Sequence, residues 1–129
     1  MTQTGEMIRV TSRDGFEFGA YHVEPTGPRK GGVIVIQEIF GISDHVKEMA
    51  DRFGAAGYEA IAPSMYDRAA PGFVVQAQDV AAGLPRAREL AMGNGPDNAM
   101  SDIGAVFDVM KKSGKVFITG YCYGGTMSW

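Results

Sequence analysis

The chain has 129 residues, 45% hydrophobic and 21% charged, with a formal net charge of −3. This is the balance of one ordinary globular domain and not of a disordered chain. The charge argues against a nucleic-acid surface, no apolar run approaches the ~18 residues of a membrane span, and Met1-Thr2-Gln3-Thr4-Gly5-Glu6 lacks the features of a signal peptide, so a cytoplasmic protein with neither nucleic acid nor membrane as partner is expected.

Residues 7–12 and 16–23 read as short strands around Ser12-Arg13-Asp14-Gly15, where Asp-Gly suits a tight hairpin turn. Pro25, Gly27 and Pro28 mark a loop. Val33-Ile34-Val35-Ile36 is an uninterrupted β-branched run, the pattern of a strand covered on both faces. Ile42, Val46, Met49, Ala50 and Phe53 then recur at helical spacing, with Ser43 or Asp44 as N-cap and Gly57 as the stop. A strand from Tyr58 to Ala62 ends at Pro63. The stretch 64–96 reads as a loop followed by helix broken near Pro85. Pro96 opens a clearer helix with Ile103, Val106, Phe107 and Met110 on one face. Gly114 leads into a strand over 115–119. Strands alternating with helices predict an α/β fold, a mainly parallel sheet with an antiparallel N-terminal hairpin. No repeat or linker divides the chain, which is treated as one unit over 1–129.

That last strand runs into Gly120-Tyr121-Cys122-Tyr123-Gly124, a glycine, any residue, a nucleophile, any residue and a glycine. This is the pattern of the nucleophile elbow, a sharp strand-to-helix turn that lifts a Ser or Cys side chain to the top of a sheet. A thiol at a helix N-terminus gains from the helix dipole and from unpaired backbone N–H groups, both of which favour thiolate. Cys122 is the only cysteine, so it is a free thiol, and the blander reading is a buried structural residue. Glu38 ends the apolar strand in Ile36-Gln37-Glu38, at the edge where a parallel sheet carries its active residues. On periodicity alone the commoner reading is a solvated strand end or a cap near the next helix. A thiol nucleophile needs a base, and neither histidine is convincing: His22 lies in the hairpin, expected at an edge far from the elbow, and His45 lies in the first turn of a helix. One cysteine and two distant histidines make no zinc site. The glycine-rich turn lacks the Lys-Ser/Thr and the spacing of a phosphate loop. No metal or other cofactor is expected.

Three segments together resemble the dienelactone hydrolase family (carboxymethylenebutenolidase and relatives). Gly32-Val33-Ile34-Val35-Ile36-Gln37-Glu38-Ile39-Phe40-Gly41-Ile42 is similar to its apolar strand followed by Glu-Ile-Phe-Gly. Gly57-Tyr58 through Ala62-Pro63-Ser64-Met65-Tyr66-Asp67-Arg68, with Ala70-Pro71-Gly72, resembles its second block, and Gly120-Tyr121-Cys122-Tyr123-Gly124-Gly125 its Cys elbow. The resemblance implies an α/β-hydrolase fold and hydrolysis of a small lactone or ester through a thioester on Cys122. It implies that Glu38 contacts the resting thiol and helps control its ionisation, and that the backbone N–H groups of Ile39 and Tyr123 form the oxyanion hole. Ser64 stands where many relatives carry Asp, a difference read as local turn chemistry. The family's substrate-carboxylate arginine falls in the variable 73–95 region, where no motif aligns Arg86 or Arg88.

The family's Asp and His of the triad would follow residue 129. The chain is therefore expected to be the N-terminal portion of one α/β-hydrolase domain, poorly active alone, with an open sheet edge that offers a route to self-association. The competing reading from another class is a non-catalytic α/β module that binds a small ligand or a partner chain.

Overall fold

In the computed structural model, which describes residues 3–93 and 95–120, the hairpin forms where Asp-Gly predicts it. Strand β1 (Glu6–Thr11) pairs antiparallel with β2 (Glu17–Val23). The Gly15 N–H donates to the Ser12 carbonyl at 3.0 Å, and the Asp14 carboxylate accepts from the Phe16 N–H at 3.1 Å. A short polar side chain thus satisfies backbone that the turn leaves without a ladder partner.

The β-branched run becomes β3 (Gly32–Ile36), buried along its whole length. Ile34 and Ile36 enter one apolar cluster, with Phe18, Ile61, Leu90, Val106 and Met110, while Val33 and Val35 enter another, with Tyr21, Val46, Ala50 and Ala62. Successive side chains of a strand point to opposite faces, so an unbroken apolar run requires cover on both. Each such side chain contributes roughly 1.5–3 kcal/mol by leaving water.

Helix α1 (Asp44–Ala55) packs on one face of the sheet, and Gly57, at φ 100°, ends it in a backbone region that side chains disfavour. Ser43 occupies the N-cap position, but its side chain makes no capping bond. The role passes to Gln76, whose Oε1 accepts from the Asp44 N–H at 3.0 Å from 32 residues away. Strand β4 (Glu59–Pro63) follows, then α2 (Val80–Gly93), α3 (Pro96–Met110) and β5 (Val116–Gly120). The sheet order is β1-β2-β4-β3-β5, with β3 parallel to both β4 and β5 and β2 antiparallel to β4.

Three expectations need correction. Helix α2 is not broken at Pro85 but runs through it. Pro85 and Ala81 lie on the exposed side, so the carbonyl that proline deprives of a donor can be hydrated, while Ala87 and Leu90 anchor the buried side. Phe107 does not join the buried face of α3, being 41% exposed while Asp102, Ile103, Val106 and Met110 are buried. It flanks Phe117 and Ile118 beside β5 instead. Finally, His22 is not at an edge, because β2 lies between β1 and β4. Its Nε2 sits 2.8 Å from the Glu59 carboxylate, which also accepts from Arg29 Nε at 3.1 Å.

Ion pairs fasten the hairpin turn to α3. Arg68 bridges Asp14 and Asp102, both at 2.8 Å, with its guanidinium 4.7 Å from the Phe16 ring centre. Arg13 makes two 3.0 Å bonds to Asp108. Hydrogen bonding to Arg68 holds the Asp14 carboxyl at a pKa of about 2, and hydrogen bonding to Arg13 does the same for Asp108. Both groups ionise more readily folded than unfolded, so their contribution to stability is complete above the ordinary 3.8 and is lost as the pH falls through about 2. Urea midpoints should therefore drop below pH 4, and the drop should shrink in the double variant Asp14→Asn/Asp108→Asn. An equal drop in that variant would assign acid sensitivity to other groups.

Candidate active site at the β3 and β5 edge

Strands β3 and β5 run in register from Gly32 opposite Val116 to Ile36 opposite Gly120. Both described strands therefore finish at the same end of the sheet. On the β3 side the next residues are Gln37 and Glu38. On the β5 side the chain continues into Tyr121 and Cys122, so Glu38 and Cys122 each stand two positions beyond a registered pair. Cys122 and Tyr123, the expected nucleophile and one expected oxyanion donor, lie outside the described residues.

The β3 exit is held by backbone geometry. The Gly41 N–H donates to the Glu38 carbonyl at 3.3 Å, closing a turn over Ile39 and Phe40. Gly41 has φ 83° and bridges to Val74, and a Cβ there would collide with the Phe73 carbonyl. Only glycine meets both demands. The Val75 N–H then donates to the Phe40 carbonyl at 2.8 Å, tying the turn to the segment before α2. Among the described residues, the Ile39 N–H donates to no backbone carbonyl.

Gln37 is fully buried and its Oε1 accepts from the Met65 N–H at 2.9 Å, while its Nε2 has no hydrogen-bond partner among the described residues. Met65 follows β4, so this bond locks the ends of β3 and β4 together. The next turn is also rigid. The buried Asp67 accepts from the Ser64 hydroxyl and the Gly19 N–H, both at 2.7 Å, and from the Gly72 N–H at 2.9 Å. Ser64 thus serves turn geometry, as its reading from sequence anticipated.

Glu38 itself is partly exposed, and its carboxylate makes no hydrogen bond or ion pair among the described residues. It lines a cavity of about 280 Å³ together with Phe40, His45, Val75, Gln76 and Val80. His45, set aside on sequence grounds, thus faces the same space as Glu38. His22 does not, being bonded to Glu59 at the first residue of β4, the opposite end of the parallel strands. Arg86 pairs with Glu89 at 3.3 Å and, with Arg68 and Tyr66, borders a separate cavity of about 340 Å³. Arg88 is exposed. Neither Gln37 nor Gln76 carries a sequence signal, since each acts on backbone remote along the chain. Among the described residues, no three His, Cys, Asp or Glu side chains converge as metal ligands do, and no helix is long and apolar enough to cross a membrane.

The pattern of the Dienelactone hydrolase family matches residues 18–129. The chain belongs to that family. It is 31% identical to carboxymethylenebutenolidase 1 of Cupriavidus pinatubonensis over 130 residues, covering 95% of this chain and 53% of that protein. Against carboxymethylenebutenolidase of Pseudomonas putida the identity is 30%, covering 96% and 54%. Among solved structures, one assigned as a dienelactone hydrolase from Klebsiella pneumoniae superposes with a TM-score of 0.77 at 27% identity, over 97% of this chain and 52% of that one. A dienelactone hydrolase-like promiscuous phosphotriesterase from metagenomic libraries gives a TM-score of 0.62 at 26% identity. The fold is that of the α/β-hydrolases, and this dienelactone hydrolase-family chain spans about half the length of the curated relatives it matches.

Proposed function

We propose that this chain carries the nucleophilic half of a hydrolase acting on small lactones or esters, with Cys122 as nucleophile and Glu38 beside it. The observation that supports this reading is the register of Ile36 with Gly120, from which Glu38 and Cys122 each follow by two positions in sequence. The sulfur attacks the acyl carbon, forming a C–S bond as the ring or alkoxy C–O bond breaks, and the departing oxygen takes a proton. Water then cleaves the thioester, releasing the acid and restoring the thiol. The N–H groups of Ile39 and Tyr123 would donate to the oxyanion, each worth on the order of 3 kcal/mol. Glu38, partnerless among the described residues, would accept from the resting thiol.

Deacylation needs a base, and among the described residues no histidine is hydrogen-bonded to a carboxylate near Glu38. Acylation without efficient turnover is the expected behaviour of this chain by itself. The test is peptide mapping after brief exposure to 4-nitrophenyl acetate. The acetyl group is expected on Cys122; acetylation confined to lysines would reject the assignment.

A further inference from the structure

We propose that Gln37 is a positioning residue, whose buried amide fixes where the Glu38 carboxylate stands and, through it, the pH at which Cys122 reacts. The inference rests on the reading of Cys122 and Glu38 above and adds to it the residue by which Glu38 is held.

Glu38 lies between two anchors. Before it, the Gln37 side chain is buried and its Oε1 accepts from the Met65 N–H at 2.9 Å. After it, the Phe40 carbonyl accepts from the Val75 N–H at 2.8 Å, and Gly41 bridges to Val74. Both anchors reach the same segment, 64–75, and that segment is itself tied down. Asp67 accepts from the Ser64 hydroxyl, the Gly72 N–H and the Gly19 N–H of β2, and the Ser64 N–H donates to the Gly19 carbonyl at 2.9 Å. A frame fastened to β2 therefore reaches Glu38 from either side.

The two anchors differ in kind. The second is made by backbone, whereas the first depends on one side-chain amide. Turning that amide over would set its Nε2 against the Met65 N–H, donor against donor, so the bond also fixes how the side chain lies. A buried amide is costly unless it is bonded, and an apolar side chain of the same length would fill the space as well. What Gln37 adds is the bond. Met65 is fully buried, so without that oxygen its N–H loses an acceptor and gains no water. The chain just before Glu38 is then released while Phe40 stays tied, and the carboxylate can pivot. Repulsion between two negative charges falls as the inverse of their separation. A displacement on the order of 1 Å therefore removes a fraction of what deleting the carboxylate would remove.

The experiment measures the pH midpoint of Cys122 labelling by 4-nitrophenyl acetate in wild type, Gln37→Met, Glu38→Gln and the double variant, with amide hydrogen exchange recorded on the same proteins. Gln37→Met should move the midpoint to lower pH by about half a unit, in the direction expected of Glu38→Gln and less far. In the Glu38→Gln background it should move the midpoint no further, because the carboxylate through which it acts is gone. The Gly41 N–H, which donates to the Glu38 carbonyl, should exchange about tenfold faster in Gln37→Met while Ala50, inside α1, keeps its rate. Where Gln37→Met does not fold, Gln37→Asn, whose amide is one methylene shorter, takes its place. An unmoved midpoint, the same shift without the Glu38 carboxylate, or equal quickening at Ala50 would overturn the positioning role while leaving the nucleophile in place. Wild type that is not labelled at Cys122 would overturn the nucleophile reading and this inference with it.

Discussion

Replacing Cys122 with alanine should abolish covalent labelling by an activated ester, lowering the rate by more than about 100-fold to the background of other side chains. Intact-mass time courses on wild type and variant measure this directly. The size follows from chemistry: no hydroxyl or amine of the chain at neutral pH approaches the nucleophilicity of a thiolate. Glu38→Gln refines the same experiment. An ionised carboxylate accepting from a thiol disfavours the second negative charge, so its removal should move the midpoint of the labelling rate to lower pH, by about one unit. Residual labelling at wild-type rate in the alanine variant would remove the proposed nucleophile. A midpoint that stays fixed in Glu38→Gln would remove only the proposed role of Glu38.

Arg68→Met should destabilise the fold by about 3–5 kcal/mol, read as a loss of unfolding free energy in urea. Asp102, 1% exposed on α3, relies on the Arg68 guanidinium at 2.8 Å for its charge, and Arg68 also holds Asp14 of the hairpin turn. Removing the cation leaves a carboxylate buried without a counter-charge, a large loss against the 5–15 kcal/mol of stability typical of a domain. Combining Arg68→Met with Asp102→Leu should recover much of the loss, because no unpaired charge remains inside. A single variant within about 1 kcal/mol of wild type would show that water reaches Asp102 despite its burial.

The extent to which the site could be read in advance differs between its residues. The candidates Glu38 and Ile39 can be picked out because they sit in one contiguous stretch whose chemistry is local, an apolar strand that ends in a carboxylate. His45 was visible as a residue but not as a neighbour of Glu38, since that depends on how the first turn of α1 meets the segment before α2. Gln76 left no trace, because its only work is on the Asp44 N–H across the fold. The continuity of α2 through Pro85 was misread for a related reason: the propensity of proline is local, whereas the burial of Ala87 and Leu90 that holds the helix together is not.

By itself the amino-acid order determined the alternation of strands and helices, the two-sided burial of Val33–Ile36, the hairpin at Asp14-Gly15 and the family of the chain. Each depends on residues close in sequence, whose periodicity and turn chemistry fold the same way in many surroundings. Tertiary structure alone decided the strand order, the register of Ile36 with Gly120, the joining of Arg68 to both Asp14 and Asp102, and the cavity that Glu38 shares with His45. Those features arise where segments tens of residues apart compete for the same partners, and the winner is set by packing and charge compensation across the whole sheet.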